Sequence, residues 1–410
     1  MVKEICKKAR AAAEKLGYLS AEEKNATLLL IADAIDKHKE EILRANRIDL
    51  ANFPKDKNPS FVDRLTLDDS RIRAMSDGVR AVIALSDPVG KVTEERVRPN
   101  GLRITKVRAP LGVIAVIYEA RPNVTVDAAV LCLKSGNACV LRGGKEAIYT
   151  NTAIYSIMKT AINGNTMTSE GIQFIDKTDR SYAAELLKQE KYIDAVIPRG
   201  GEALKHFVLE NAKMPVIASA GGICHVYVEK TADLKVAEEI IFNAKTSRPS
   251  VCNAAETLLV DEAVAAKFLP KCLKRLAAAG VEIRGCARTI ELYPEAVAAA
   301  DYDTEYEALI LAVKVVKDID GAIEHINLHN TKHSDAIVTT DEAAMKKFAG
   351  RVDAAAVYIN ASTRFTDGFE FGFGAEMAIS TQKLHARGPI GLEQLTSEKY
   401  VVYGTGQIRI

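Results

Sequence analysis

The sequence predicts an α/β protein built on parallel, doubly wound sheets, and three observations support that fold class. From Leu111 onward, short apolar runs typical of buried strands alternate with helical segments, as in strand–helix–strand units. The alternation resumes at about Val236, which predicts a second α/β domain. The chain has 410 residues, too many for one compact core, so two or three domains are expected.

Composition excludes several classes of function. Lys and Arg number 55 and Asp and Glu 54, so the net charge of +1 predicts neither a nucleic-acid partner nor a polybasic membrane surface. No apolar run approaches the ~18 residues of a membrane span, and residues 1–16 predict an amphipathic helix rather than a signal peptide. The seven cysteines contain no CxxC pair, which fits a reducing cytoplasm.

The segment before Pro88 predicts helices that pack a core and carry no evident chemistry. Ser20 and Glu23 form a capping box, and the apolar periodicity after it predicts one long helix to about Asn52. Residues 53–60, which contain two prolines, predict a loop. A further helix is expected to end shortly before Pro88.

A hairpin and the last strand predict a small β element. Asn100-Gly101 separates alternating charged and apolar positions across residues 96–108, which is a strong hairpin signal. Residues 397–410 have the alternation of a strand and could pair with this hairpin, with their own edge, or with another subunit. We expect the protruding hairpin to meet a partner.

Three predicted strand ends carry residues suited to anions: RPN at 121–123 and RGG at 142–144 and 199–201. Ligands of doubly wound sheets bind at the carboxyl ends of strands. Glycine lets a backbone approach a phosphate closely, and a helix start attracts anions. Neither Arg-Gly-Gly turn is a GxGxxG fingerprint, so a plain tight turn between strand and helix is the alternative for each.

Cys252 is the candidate nucleophile. It lies between a turn-forming segment, residues 247–250, and an apolar strand-like run, Thr257 to Val260. Pro249 restricts the backbone that enters the cysteine. Arg248 would favour the thiolate, which is the reactive form. The alternative is a small core residue, as most free cysteines are.

The histidines at 325, 329 and 333 are spaced by four, a pattern that could suggest a metal site. Asn327 and Asn330 indicate that the helix has ended, so the three rings are not expected to share a face. We therefore predict no metal. Cys224-His225 lies in an apolar run and is predicted to belong to the core.

The chain resembles the aldehyde dehydrogenase superfamily in motifs that occur in the expected order: YEARPN, SGNACVLRGG, IPRGG, GICHVYV, SRPSVCNAAETLLV, VKDIDGAIEHINLHNTKHSDAI and KLHARGP. The resemblance spans essentially the whole chain. It implies an aldehyde dehydrogenase-like fold of two doubly wound α/β domains and a small β oligomerisation element. The cofactor-binding domain is expected at 1–97 and 109–228, the catalytic domain at 229–357, and the oligomerisation element at 98–108 and 358–410.

The resemblance implies roles for single residues. Cys252 matches the nucleophile, and Asn123 matches an asparagine whose amide joins the nucleophile's backbone N–H in an oxyanion hole. Glu305 matches a glutamate that contacts the nicotinamide ribose. Ser219 stands where hydrolytic members have the glutamate that activates water, and the resemblance therefore implies an acyl-phosphate reductase.

A nicotinamide dinucleotide is implied at the Arg-Gly-Gly turns. Arg142 takes the place of a lysine near the adenosine ribose, and residues 199–201 take the place of the helix start near the pyrophosphate. Because Arg142 and Lys145 could hold a ribose 2′-phosphate, NADPH is expected, with a solvated basic turn as the alternative. The expected cofactor-binding residues are Arg142, Gly143, Lys145, Arg199, Gly200, Gly201 and Glu305.

The implied activity is NADPH-dependent reduction of L-glutamyl 5-phosphate to L-glutamate 5-semialdehyde and phosphate through a Cys252 thioester, the second step of proline biosynthesis. Substrate contacts are expected from Arg121, Ser250, His385 and Arg387. The implied partners are further copies of the chain in a homo-oligomer and the glutamate kinase that makes the substrate. Two alternatives remain: an NAD(P)-dependent dehydrogenase of another aldehyde, and a non-catalytic binding protein on the same scaffold.

Overall fold

Strands and helices alternate along most of the chain, as the apolar runs predict. The structure, a computed structural model, describes residues 1–54, 59–219 and 221–409. Its helices are α1 (Val2–Leu16), α2 (Ala21–Lys37), α3 (Lys39–Asn52), α4 (Pro59–Leu65), α5 (Asp69–Ala84), α6 (Asn123–Lys134), α7 (Ile148–Ala161), α8 (Arg180–Leu186), α9 (Glu202–Asn211), α10 (Leu234–Thr246), α11 (Glu262–Ala278), α12 (Ala287–Leu292), α13 (Ile319–His329) and α14 (Glu342–Arg351). Its strands are β1 (Val92–Val97), β2 (Arg103–Pro110), β3 (Val113–Tyr118), β4 (Ala138–Arg142), β5 (Ile172–Phe174), β6 (Ala195–Arg199), β7 (Cys224–Val228), β8 (Ala255–Asp261), β9 (Glu282–Gly285), β10 (Val297–Ala298), β11 (Ile310–Val316), β12 (Ser334–Val338), β13 (Ala356–Ile359), β14 (Ile379–Ser380), β15 (Gly388–Pro389) and β16 (Thr396–Tyr403).

The chain divides into two compact units. Unit 1 contains Met1–Ser219, Gly372–Ala378 and Ile390–Ile410, and unit 2 contains Ala220–Phe371 and Ile379–Pro389. Each unit has its own parallel sheet, which agrees with the predicted pair of α/β domains. Within the described part of the chain, no helix has both the length and the apolar character needed to cross a membrane.

The sheet of unit 1 has the order β5-β4-β3-β6 and all its pairings are parallel. β3 and β4 are buried along their whole length, as parallel strands covered on both faces usually are. Ile117 on β3 pairs with Arg142, and Tyr118 pairs with Arg199. This register places the three predicted anion-binding turns along one edge of the sheet.

The N-terminal helices differ from the prediction in two places. The capping box at Ser20 is confirmed, but the predicted long helix is interrupted at His38 and continues as α3. The interruption lets α3 bury two polar side chains that the apolar period did not indicate. Asn46 donates to the Leu65 carbonyl at 2.9 Å, and Asp49 accepts the Thr150 N–H at 2.8 Å. The predicted loop at 53–60 lies partly outside the described residues, and α4 begins within it at Pro59.

A three-stranded antiparallel sheet of order β1-β2-β16 confirms the predicted hairpin. Gly101 occupies the turn with φ +85°, a left-handed conformation that favours glycine. β16 pairs with β2 along its whole length, from Thr396 opposite Pro110 to Tyr403 opposite Arg103. Of the alternatives for the last strand, the structure therefore selects the hairpin of the same chain.

The sheet of unit 2 has the order β10-β9-β11-β8-β7-β12-β13, again with every pairing parallel. Leu258 and Val260 on β8 pack in one apolar cluster with α10 and α11, whereas Leu259 packs in a second cluster with α13 and α14. Successive strand residues face opposite sides, so the sheet is covered by helices on both faces. This is the doubly wound arrangement that the sequence predicts.

The predicted domain boundaries need correction. β7 was assigned to the first domain, but it lies between β8 and β12 in the sheet of unit 2, which begins before residue 229. Its run of five buried residues would fit either sheet, so the apolar pattern could not decide between them. The tail beginning at 358 is also divided, because β13 and the β14–β15 pair belong to unit 2 and β16 belongs to unit 1.

Candidate active site

Cys252 lies on the turn that joins α10 to β8, three residues before the strand begins. It is one of two half-buried cysteines, whereas the other five are buried. The turn is at the amino end of β8, so the candidate nucleophile lies on the amino-terminal edge of the seven-stranded sheet. Half-burial on a turn is the environment expected of a reactive cysteine and argues against the core alternative.

Gly222 packs directly against the backbone of Cys252. A Cβ at position 222 would stand 1.5 Å from the Cys252 carbonyl oxygen, so no other residue fits there without movement of the turn. The Gly222 N–H donates to the Glu305 carboxylate at 2.7 Å. Glu305 is the residue that the resemblance matches to a cofactor contact. It therefore bonds to the same glycine that packs against the Cys252 backbone.

Asn253 anchors the turn on its other side. Its side-chain amide donates to the carbonyls of Arg364 at 3.2 Å and Thr366 at 2.9 Å, and its backbone carbonyl accepts the Thr363 hydroxyl at 2.7 Å. The Arg364 guanidinium also donates to the Asn253 side-chain oxygen. Asn253 is buried, so these bonds satisfy its polar groups and hold the residue after the nucleophile in one position.

A series of buried polar side chains begins at the Cys252 carbonyl. The Cys224 thiol donates to the Cys252 carbonyl at 3.2 Å and lies 3.8 Å from Nδ1 of His333. His333 contacts the Ser334 hydroxyl at 2.8 Å. Burial raises the pKa of the Cys224 thiol well above its ordinary value, so Cys224 stays protonated and acts as a donor. This confirms Cys224 as a core residue.

Two arginines lie at the nucleophile turn: Arg248 precedes Cys252 by four residues, and Arg364 bonds to Asn253. The pKa of Arg364 is lowered by burial and, in second place, by the positive charge of Arg248, while the charge of Cys252 acts in the opposite direction. Arg248 and Arg364 are therefore close enough to act on one another, and Arg364 is close enough to be affected by Cys252. Positive charges near a cysteine favour its thiolate.

The turns at the carboxyl edge of the unit 1 sheet are joined to one another. The Gly201 N–H donates to the Glu119 carboxylate at 3.0 Å, which connects the ends of β6 and β3. The Ala120 N–H donates to Glu146 at 2.6 Å, and Ala120 has a left-handed φ of +40°. A non-glycine residue in that conformation is strained and persists only where its surroundings hold it. The space beside Gly201, at the start of α9, is open.

Asn123 begins α6 and is exposed. Its side-chain nitrogen donates to the Asp127 carboxylate at 2.9 Å. Burial raises the pKa of Asp127 to about 6, and the hydrogen bond from Asn123 opposes that rise. An amide nitrogen carries two N–H groups, so Asp127 orients the Asn123 side chain and leaves the second N–H to donate elsewhere.

The two cations predicted to bind a 2′-phosphate have different environments. Arg142 is buried and donates to the Thr178 carbonyl at 2.9 Å, and burial lowers its pKa. Lys145 is exposed. The alternative of a solvated basic turn is therefore wrong for Arg142. Gly143, between them, packs against Asn151, whose side-chain nitrogen would stand 2.2 Å from a Cβ at position 143.

The predicted substrate residues are divided between the two units. Arg121 belongs to unit 1, whereas Ser250, His385 and Arg387 belong to unit 2. Ser250 lies on the nucleophile turn. Arg387 donates to Asp353 at 3.0 Å, and two lysines, Lys383 at 3.0 Å and Lys332 at 3.4 Å, contact the same carboxylate. Three cations on one carboxylate leave an excess of positive charge beside the amino end of β13.

The three histidines are divided between two places. α13 extends to His329, further than predicted, and the rings of His325 and His329 lie 4.4 Å apart between centroids. His333 instead belongs to the series of buried polar side chains that begins at the Cys252 carbonyl. Among the residues that the structure describes, no group of three or more His, Cys, Asp or Glu side chains could hold a metal ion.

Sequence reasoning missed the residues that support the site: Asp127, Cys224 as a donor to Cys252, Asn253, Arg364, and the ion pair of Lys245 with Glu256. Two of these left a signal. Glu256 directly precedes the apolar run of β8, and an ionised side chain beside such a run predicts a buried partner. Asp127 follows Asn123 by four residues on α6, the spacing at which helical side chains meet. The other contacts join residues far apart in the chain, which no local pattern reveals.

The chain is similar to known proteins over almost its whole length. The aldehyde dehydrogenase family model matches residues 1–285 and 301–401. The chain is 55% identical over 408 residues to a protein of Carboxydothermus hydrogenoformans named gamma-glutamyl phosphate reductase, which covers 99% of this chain and 98% of that protein. It is 53% identical over 410 residues to the protein of that name from Clostridium kluyveri, with 99% and 98% covered.

Solved structures give the same result. The crystal structure of gamma-glutamyl phosphate reductase from Thermotoga maritima matches with a TM-score of 0.98 and 48% identity, covering 100% of both chains. An acetylating aldehyde dehydrogenase from Geobacillus thermoglucosidasius matches with a TM-score of 0.69 and 18% identity over 100% of this chain and 97% of that one, a likeness of fold alone. The chain belongs to the aldehyde dehydrogenase family.

Proposed function

We propose that this chain reduces L-glutamyl 5-phosphate to L-glutamate 5-semialdehyde with NADPH and releases phosphate, as a step of proline biosynthesis in the cytoplasm. The observation that carries the proposal is the environment of Cys252. The cysteine is half-buried, its turn packs against Gly222 and is held through Asn253, and the Arg364 guanidinium bonds to Asn253, the next residue. The near relatives named gamma-glutamyl phosphate reductase support the choice of substrate.

In the proposed reaction, the Cys252 thiolate attacks the acyl carbon of the substrate. A carbon–sulfur bond forms, the bond from carbon to the phosphate oxygen breaks, and phosphate leaves with the electron pair. The second N–H of Asn123 is proposed to donate to the oxyanion, an interaction that typically contributes ~3–4 kcal/mol. The thioester that remains on Cys252 is the species to be reduced.

The residues of unit 1 fit a nicotinamide dinucleotide. Gly201 opens onto free space at the start of a ten-residue helix, where the first backbone N–H groups have no partner within the helix. NADPH, when bound, would supply the hydride to the thioester carbon; the carbon–sulfur bond then breaks, the semialdehyde is released, and the electron pair returns to Cys252 as thiolate. We propose that Arg199, Gly200 and Gly201 contact its phosphates, and that Glu305 contacts its nicotinamide ribose.

The preference for NADPH over NADH is proposed to depend on the turn after β4. Lys145 is exposed there and can meet a 2′-phosphate directly, whereas Arg142 is buried and held by Thr178. Arg142 is therefore proposed to shape the turn with Gly143 and to add positive charge from beneath it. A charge-assisted bond from Lys145 would then account for most of the preference.

The substrate's amino-acid end carries a carboxylate, and the cations around Asp353 are the proposed attraction for it. Arg387 and its neighbour His385 lie on the amino-terminal side of the unit 2 sheet, as Cys252 does. Ser250, on the nucleophile turn, and Arg121 are the other proposed contacts. Assembly into a homo-oligomer through the three-stranded sheet, and association with the glutamate kinase that makes the substrate, are also proposed.

Ser219 argues against the alternative of a hydrolytic aldehyde dehydrogenase. Its hydroxyl donates to the Pro198 carbonyl at 3.5 Å, and a serine hydroxyl is not a useful base near neutral pH. The neighbouring Ala220 lies outside the described residues. With a serine in place of the glutamate that activates water in hydrolytic members, a Cys252 thioester is expected to resist hydrolysis.

The reverse reaction tests the proposal. Purified protein is supplied with glutamate semialdehyde and NADP, and NADPH formation is followed by absorbance with and without phosphate. We expect sustained activity only when semialdehyde, NADP and phosphate are all present. A protein that accepts other aldehydes equally well and ignores phosphate would instead support the alternative of a general dehydrogenase.

A further inference from the structure

A buried ion pair joins the helix and the strand on either side of the nucleophile turn. Lys245 is near the end of α10 and Glu256 near the start of β8, so the two residues flank the turn that carries Cys252. Their side chains meet with an N–O distance of 2.6 Å and are 0% and 1% exposed. No step of the proposed reaction uses either residue.

Burial disfavours the charged form of both residues. Burial raises the pKa of Glu256 to about 7, against the opposing effect of Lys245. Burial lowers the pKa of Lys245, again opposed by its partner. Replacing a buried ion pair with apolar side chains of similar volume is often neutral or stabilising. Stability alone is therefore a weak reason for this pair to be here.

The pair also reaches the segment that carries Glu305. The second carboxylate oxygen of Glu256 accepts the Glu307 N–H at 3.3 Å, and Glu307 has a left-handed φ of +49°. Two residues earlier, Glu305 accepts the Gly222 N–H, and Gly222 supports the Cys252 carbonyl. A strained residue such as Glu307 keeps its conformation only when its neighbours hold it.

We propose that the Lys245–Glu256 pair is a positioning device for the nucleophile. The bond from Lys245 to the Glu256 carboxylate holds the two ends of the turn together. The same carboxylate holds Glu307 in place. Through Glu307 it keeps Glu305 bonded to Gly222, which packs against Cys252. Both residues act through others and touch no reacting atom. This role deepens the proposed function, because it explains how the thiolate is held in its attacking position.

Two double variants separate positioning from packing. Both Lys245→Met/Glu256→Gln and Lys245→Met/Glu256→Leu remove the two charges together, so neither leaves an unpaired buried charge. Glutamine keeps an oxygen that can accept the Glu307 N–H, and leucine does not. Circular dichroism and thermal melting of the two proteins establish that both fold.

The readouts are the rate of Cys252 alkylation by iodoacetamide and the kcat of the reverse reaction. We expect the glutamine variant, which loses the bond to Lys245 but keeps an acceptor for the Glu307 N–H, to lose about threefold in both. The leucine variant loses both bonds and should lose at least about tenfold, as small misplacements of reacting groups do. The KM for the semialdehyde should stay within about twofold, because the pair is not proposed to contact substrate.

Equal alkylation rates and equal kcat values in the two variants would overturn the proposal, because the hydrogen bond to Glu307 would then have no effect on the nucleophile. A loss of activity that follows melting temperature alone would overturn it as well. Alkylation needs no substrate, so this result is independent of the proposed reaction. Wild-type protein that alkylates normally but lacks reductase activity would contradict the proposed function instead.

Discussion

Cys252, the proposed nucleophile, differs from the five buried cysteines in its surroundings. The other half-buried cysteine is Cys286, which follows β9 and precedes α12. Burial acts to raise the pKa of Cys286, but hydrogen bonds from Thr289 and from backbone N–H groups leave it lowered. Half-burial and a lowered pKa make Cys286 the natural control for Cys252.

Substitution of each half-buried cysteine tests the nucleophile assignment. We expect Cys252→Ser to lower kcat by at least about a thousandfold while cofactor binding and melting temperature stay unchanged, because a serine hydroxyl is not ionised near neutral pH. Cys286→Ser should retain activity. Alkylation mapped by mass spectrometry should modify both thiols, and inactivation should follow the modification of Cys252. Inactivation that follows Cys286 would show that the wrong cysteine was chosen.

The cofactor preference is tested with the two cations of the turn after β4. Lys145→Ala should raise the KM for NADPH at least about tenfold and leave the KM for NADH nearly unchanged, because the lysine is proposed to meet only the 2′-phosphate. Arg142→Ala should raise both values, since it removes a buried side chain that supports the turn. Steady-state kinetics with both cofactors distinguish the outcomes. Equal effects of Lys145→Ala on both KM values would refute its role.

At the scale of elements, local patterns predicted the parts that depend on local chemistry. The capping box at Ser20, the Asn100-Gly101 hairpin and the apolar strands are confirmed because each is a short-range preference. The interruption at His38 and the placement of β7 were missed, because tertiary partners decide them. In the same way, the position of Cys252 could be predicted, whereas its support through Gly222 and Asn253 joins segments distant in sequence.

α13 packs a buried histidine cluster against the sheet of unit 2. The His325 ring lies 5.5 Å from that of His225 and 4.9 Å from that of Tyr302, between centroids. The Lys314 ammonium donates to Nδ1 of His325 at 3.1 Å, which requires a neutral ring. Burial, followed by the charges of His225, Lys314 and His329, lowers the pKa of His325 to about 2.

This cluster predicts a loss of stability in acid. The pKa of an unperturbed histidine is 6.5, so between pH 6.5 and about 2 the unfolded chain binds a proton that folded His325 does not. Stability should therefore fall as the pH drops below 6.5, by at most about 1.4 kcal/mol per pH unit from this group. His325→Leu should reduce the pH dependence of urea unfolding, and His206→Gln, at an exposed site, should leave it unchanged. An unaltered slope in His325→Leu would contradict the assignment.

At the scale of the whole molecule, the three-stranded sheet presents apolar side chains to solvent. Tyr400 and Val402 lie on one face of β16 and are 66% and 54% exposed, next to Ile104 on β2. Neighbouring exposed apolar residues on a sheet with two open edges are typical of an interface between subunits. This surface supports the proposed homo-oligomer.

Light scattering after size exclusion tests that surface. We expect the wild-type protein to elute as an oligomer and Val402→Asp to shift it toward the monomer, because a carboxylate would be buried without a partner. The matched control is Leu209→Asp on α9, where the leucine is 49% exposed and lies outside the three-stranded sheet. A Val402→Asp protein that keeps the wild-type mass would place the interface elsewhere.

The central claim is that phosphate, and not water, takes the acyl group from Cys252. The most direct measurement is the number of NADPH molecules formed per active site when semialdehyde and NADP are mixed without phosphate in a stopped-flow instrument. We expect at most one NADPH per site followed by a stall, because Ser219 supplies no base to activate water. Addition of phosphate should then restore steady turnover. Continued NADPH formation without phosphate would contradict the account.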